Sequence, residues 1–184
     1  MQYNRKLASI CLICIIALSM VFGTLRSVSA LSSDVERVYQ NGSEQYGTLR
    51  TDIAKLASQA SELLSLYAAV IGDDKDSGAL SGAVSALTEN LDRPCSAVFA
   101  QALDDLRLYA AAVYYKLDIE ESIQNTQQYT TAVAYYRELQ STLMRISNNQ
   151  QYAAAAKKYN AAIQSFPGSA AAGLLSLESA PVVQ

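Results

Sequence analysis

Histidine and tryptophan are both missing from the 184 residues, proline occurs three times, cysteine three times and glycine eight times. Without histidine the chain has neither the commonest general base nor the usual metal ligand, and it can build no Ser-His-Asp or Cys-His arrangement. A zinc site would need more cysteines than are present, and no glycine-rich phosphate loop can be traced. Cys11 and Cys14 lie in an apolar N-terminus, which leaves Cys95 alone in the rest of the chain. An internal disulfide there is excluded, so stability must come from packing. Cys95 reads as a small buried hydrophobe; a reactive thiol would need a cationic neighbourhood, and Arg93 is the single candidate nearby.

Pro94, Pro167 and Pro181 are too few, and turn clusters too irregular, for a β-sandwich or barrel. Alanine is abundant and β-branched residues are sparse, a balance that favours helix. Hydrophobic residues make up 51% of the chain and charged residues 17%, enough apolar material for a packed core. Beyond Ala30 lie 11 basic and 17 acidic residues, a formal charge of −6. That sign, with no basic cluster larger than Lys157-Lys158, argues against nucleic acid as a partner.

What is present begins with Arg5 and Lys6, an uncharged run from Leu7 to Leu25, and the small-residue sequence Val28-Ser29-Ala30. Residues 1–30 therefore read as a signal peptide or a signal anchor; the run is long for the first and about long enough to span a bilayer. The leading positive charges favour a cytoplasmic N-terminus, which sends the bulk of the chain to the extracytoplasmic side of the cell membrane, or into the medium if cleavage follows Ala30. The context of Cys11 and Cys14 argues against a lipoprotein anchor.

Three apolar series follow. Val35, Val38 and Gly42 lead, through a stutter before Tyr46, into Leu49, Ile53, Leu56, Ala60, Leu63, Tyr67 and Val70, a heptad seam that predicts a first helix from Ser33 to Ile71. The segment Gly72 to Gly78 suits a turn. A second stripe runs through Leu80, Val84, Leu87, Leu91, Cys95, Val98, Ala102, Leu106, Tyr109, Val113 and Leu117, with a kink or a short break expected at Pro94, the kink being favoured. Asp118 and Glu121 resemble a capping box opening a third helix, whose seam passes Tyr129, Val133, Tyr136, Leu139, Leu143 and Ile146, loses phase at Asn148-Asn149, and resumes through Tyr152, Ala156, Tyr159, Ile163 and Phe166. The fold class expected is all-α: an elongated antiparallel bundle of three long helices over residues 31–167, each about 60 Å long. A small-residue tail over 168–184 would hold one short helix.

Acid–base chemistry would have to use carboxylates. Neighbours on a helix point about 100° apart, so Asp104-Asp105 and Glu120-Glu121 do not converge on one substrate atom, and a solvated face accounts for them better. Asp73, Asp74 and Asp76 would hold calcium weakly at most, since no closing glutamate follows, and a charged linker is the simpler account. No catalytic, cofactor-binding or metal-binding residue is assigned. Eleven tyrosines lie beyond Ala30, including the doublets Tyr114-Tyr115 and Tyr135-Tyr136. Each doublet can turn one ring to the core and leave the other for a partner surface.

The segment Tyr152-Ala-Ala-Ala-Ala156-Lys-Lys-Tyr159-Asn160-Ala-Ala-Ile163-Gln-Ser-Phe166-Pro167-Gly168 resembles the pattern that closes the last long helix of the LemA family, Tyr-Asn-x-x-Val-x-x-Tyr-Asn-x-x-Ile-x-x-Phe-Pro. A small-residue stretch follows it here, as in that family. Ala153 stands where the first asparagine is expected, and Lys55 replaces a proline in Arg50-Thr-Asp52-Ile53-Ala-Lys55, so the chain looks like a divergent member. The resemblance implies a membrane-associated helical bundle and no particular activity. Tyr152, Tyr159, Asn160, Ile163, Phe166 and Pro167 carry it as structural residues. On the core reading Phe166 is buried beside the first helix, Pro167 ends the third, and Asn160 bonds the backbone of the returning tail; on the alternative, Tyr159 and Phe166 are exposed and grip a partner.

These features lead to a non-enzymatic scaffold or adaptor at the membrane, needing no cofactor and binding another envelope protein. The second reading is an extracytoplasmic sensor whose ligand sits in a tyrosine-lined pocket between helices.

Overall fold

A computed structural model of the chain describes residues 2–41 and 48–182. Gly42 and Tyr46, where the stutter was expected, lie outside the described residues. Those described form seven α-helices and one short 3-10 turn, with no strand among them.

The N-terminal helix, α1 (Gln2–Gln40), is continuous from the apolar run into the bundle. Its first half exposes Leu12, Ile13, Ile16, Met20 and Phe22, whereas Val28, Val35 and Tyr39 in the second half are buried. Spacings of seven and four place those three on one stripe. Among the described residues α1 is the one helix long and apolar enough to cross a membrane, judged by length and composition.

The long helix expected from Ser33 to Ile71 does not form as one piece. Thr48 caps a new helix, α2 (Leu49–Val70): its hydroxyl accepts from the Thr51 N–H at 3.0 Å, while the Thr51 hydroxyl accepts from the Thr48 N–H at 2.9 Å. Two orphan donors are satisfied reciprocally, which starts a helix there rather than continuing one. The seam itself is in place, with Leu49, Ile53, Leu56, Ala60, Leu63 and Tyr67 all buried. Gly72, at φ +97°, reverses the chain, and Asp74 caps α3 (Lys75–Glu89), so the turn is shorter than Gly72–Gly78 and Gly78 is helical.

At Pro94 the chain turns back instead of kinking. The Asn90 side chain donates to the Ala86 carbonyl at the end of α3, and Ser96 caps α4 (Ala97–Asp118). Lys116 pairs with Asp74 and, at 2.7 Å, with Asp76, which sets the end of α4 beside the start of α3. The apolar stripe is rephased by this turn: Val98 is exposed and Phe99 is buried. Nor does Asp118 open the third helix. It is the last residue of α4, and after the 3-10 turn Glu121–Ile123 the hydroxyl of Thr126 caps α5 (Gln127–Ser147). Asn148 and Asn149 then divide α5 from α6 (Gln150–Gln164), the Asn149 side chain accepting from the Tyr152 N–H at 3.0 Å. The last helix is α7 (Gly168–Leu175).

Helices α2 to α5 pack together as an up-and-down group of four. Arg145 on α5 meets Asp52 on α2 at 2.8 Å, which fixes these two as antiparallel. Helix α1 packs against α6 and α7, the contact with α7 involving Ala17 to Thr24, at one end of this group. At 22 residues, α2 and α4 are each about 33 Å long, roughly half the rod length expected. One apolar cluster runs through both parts, from Val28 to Ala180.

Candidate functional site

The LemA-like residues occupy the junction between the two parts. Tyr152, Tyr159 and Ile163 form a buried stripe on α6, as the spacing predicts. Asn160, one residue off that stripe, is half-buried and makes two hydrogen bonds to the tail. Its amide donates to the Ala180 carbonyl and its carbonyl oxygen accepts from the Ala180 N–H, both at 2.8 Å. Phe166 is not in the core: it is 83% exposed. The reason lies one residue earlier, where Ser165 adopts extended backbone (φ −95°, ψ 147°) and ends α6 before the stripe reaches position 166. Pro167 stands immediately before α7, and the pair of residues expected to share one fate is split, Tyr159 buried and Phe166 outside.

Around Tyr152 the structure assembles aromatic rings that sequence spacing had not brought together. The Tyr39 ring lies 6.2 Å from that of Tyr152 and 6.0 Å, edge-on, from that of Phe99. Its hydroxyl donates to the Leu91 carbonyl at 2.7 Å, tying α1 to the α3–α4 turn. Burial raises the Tyr39 and Tyr152 hydroxyls above the ordinary tyrosine value. Burial likewise pushes the Cys95 thiol up to about 11. A thiol held protonated near neutral pH is a poor nucleophile. Tyr39 and Phe99 are the residues missed from sequence; the recurrence Val28, Val35, Tyr39 was the available signal for the first.

At the opposite end of the four-helix group, tyrosines and carboxylates are paired with each other. The Lys116 ammonium beside Asp74 holds its carboxyl well below the usual range, helped by the Ser77 N–H and the Tyr67 hydroxyl, which donates at 2.7 Å. Asp118 accepts from Tyr129 at 2.8 Å and from Tyr114 at 3.4 Å, and Tyr114 stacks on Tyr136 with 4.1 Å between centroids. Of each doublet one or both rings are thus packed, while Tyr115 is 63% exposed. Leu108 and Tyr115 on α4, and Ile119 at its C-cap, are all exposed; Leu108 and Tyr115, at i and i+7, share one face within about 20°. Among the described residues no group of three or more cysteine, aspartate and glutamate side chains is placed to hold a metal ion.

A groove of about 340 Å³ lies between α4 and α5, lined by Leu103, Asp104, Arg107, Gln140, Leu143 and Met144, with the tail residue Val182 at its edge. No tyrosine lines it. No family model, curated protein or solved structure matches the chain.

Proposed function

We propose that this chain is a membrane-anchored, extracytoplasmic helical scaffold of the LemA type, without enzymatic activity, that binds another envelope protein. The observation that carries this reading is the single helix α1, apolar and exposed from Leu12 to Phe22 and packed into the bundle from Val28 onward. Retention of the anchor is favoured over cleavage, because cutting after Ala30 would remove Val28, 2% exposed, from the core. Arg5 and Lys6 ahead of the apolar run favour the extracytoplasmic orientation. Tyr152, Tyr159 and Ile163 packed in α6, with Asn160 holding the tail, support the LemA resemblance by giving these four of the six motif residues a structural task. The carboxylates and hydroxyls best placed for chemistry are bonded to one another, and the Cys95 thiol is protonated, which favours a scaffold over a catalyst.

The exposed face formed by Leu108 and Tyr115 of α4 with Ile119 at its C-cap is the surface we assign to the partner, since a tyrosine flanked by aliphatic side chains offers contact area at low rotamer cost. The test is capture of tagged full-length chain from membranes, followed by mass spectrometry, alongside the Leu108→Glu and Tyr115→Glu variants. A protein recovered with the wild type and lost with both variants, at unchanged melting temperature, supports the scaffold. Equal recovery with all three removes the α4 face from the proposal. Finding Leu31 as the mature N-terminus would refute the anchor. The second reading, a ligand-binding sensor, draws on the 340 Å³ groove between α4 and α5, whose polar walls would be its site in place of a tyrosine-lined pocket.

A further inference from the structure

The short helix α7 is built inside out for a protein surface in water. Gly168, Ala171 and Ala172 face the protein, while Leu174 and Leu175 are 75% and 52% exposed, and Phe166 just ahead of them is 83% exposed. Small residues inward and large apolar residues outward is the arrangement of helices packed in lipid, where close backbone approach drives association and acyl chains solvate the rest. Gly168 makes the close approach: a Cβ there would stand 1.8 Å from the Ala162 carbonyl oxygen.

The position of α7 along the anchor points the same way. It packs on α1, and a groove of about 210 Å³ between them has Ala17, Met20, Val21 and Thr24 on one side and Phe166 and Leu174 on the other. Those α1 residues lie two to nine positions before Arg26, the first charge after the apolar run, which is roughly 3 to 14 Å along the helix axis. Between Lys158 and Glu178 the chain carries no charged side chain at all. Exposed apolar residues elsewhere in the bundle, such as Val98 on α4 and Met144 on α5, are not gathered against the anchor in this way.

We propose that Phe166 to Leu175 forms a second membrane-seated element, whose Phe166, Leu174 and Leu175 side chains enter the lipid of the leaflet that α1 leaves. The inference rests on the reading of α1 as a retained anchor. Its ligand is the acyl-chain region of the bilayer, continuous with the lipid around Met20 and Val21, and α7 lies in the interface without spanning it.

The absence of tryptophan supplies the test, because an introduced indole is the sole one in the chain. Full-length Phe166→Trp, Leu174→Trp, Phe22→Trp and Leu108→Trp variants are each reconstituted in phosphatidylcholine–phosphatidylglycerol vesicles, with and without phosphatidylcholine brominated near the carboxyl end of its acyl chain. The expected result is that Phe166→Trp and Leu174→Trp lose most of their emission in brominated vesicles, as Phe22→Trp does, while Leu108→Trp keeps its own. Quenching at Phe22 but at neither Phe166 nor Leu174 overturns the proposal and leaves the anchor standing. No quenching at Phe22 overturns the anchor, and the inference falls with it. Unquenched emission at Phe166 that shifts to the blue with rising protein concentration assigns the rim to a second copy, which also overturns the proposal.

Discussion

Asn160 and Ala180, twenty residues apart, exchange a donor and an acceptor at 2.8 Å each, so one amide side chain substitutes for a β-type backbone pairing and fastens the tail to α6. The arrangement uses the full shape of the asparagine amide, a donor and an acceptor on one planar group. Replacement by alanine leaves the Ala180 N–H and carbonyl without these bonds at a residue only 2% exposed, where water reaches them poorly. We expect Asn160→Ala to cost about 1–2 kcal/mol. Amide exchange at Ala180 should accelerate more than at any residue of α2; an unchanged exchange rate there would sink this account.

The core seam of α2 makes the plainest demand on stability. Leu56 and Leu63 have no solvent exposure. Each leucine-to-alanine substitution should destabilise the folded chain by about 2–5 kcal/mol, the sum of lost transfer energy and the cavity left behind. Urea unfolding followed by circular dichroism reads this directly, and a change below about half a kcal/mol at both sites would mean the packing is not as described.

Two glycines should respond to alanine with opposite sign. At Gly168 the new methyl meets the Ala162 carbonyl at 1.8 Å, and the obstacle is backbone. Overpacking of that kind costs about 1–3 kcal/mol and should loosen α7 from α6. Gly82 lies within α3 with nothing within 4 Å of the added Cβ, so alanine there should stabilise by about 0.5–1 kcal/mol. Melting temperatures of the pair, moving in the same direction, would contradict the geometry.

Asp74 predicts an acid limb. Its folded-state pKa is depressed, chiefly by Lys116, so its contribution is present above the ordinary carboxylate value of about 4 and is lost as pH falls through the folded value. Melting temperature should fall as pH is lowered below about 4, and the Asp74→Asn variant should show a shallower fall. Asparagine is an equally good helix cap, so the variant keeps the start of α3 while losing the charge. Parallel profiles for the two proteins would count against Asp74 as the source.

How much of this was legible depended on whether periodicity and helix ends agreed. From Leu49 to Tyr67 the apolar steps are unbroken and the helix is too, so the buried face could be read directly. The stripe Leu87, Leu91, Cys95, Val98 keeps helical spacing by coincidence across a turn, and periodicity alone cannot distinguish a kinked helix from a reversed chain. The decisive signals there were local, Asn90 and Ser96 as caps, and they are weaker than the pattern they interrupt. Phe166 was misplaced for the same reason: the stripe was extended two residues past the end of α6 at Gln164. Tyr39 and Phe99 meet across 60 positions of chain, a pairing that no spacing rule reaches.

The continuity of α1 has a mechanical consequence. On the proposed reading of α1 as a retained anchor, the helix that continues into the bundle at Val28 would carry the bundle as a stiff lever, whose attitude follows the anchor's tilt. A thinner bilayer forces a long apolar helix to lean, and on that reading the lean would swing the four-helix head toward the lipid surface. Thickness of the host membrane would then set which side of the head is open to a partner and which is shaded by lipid.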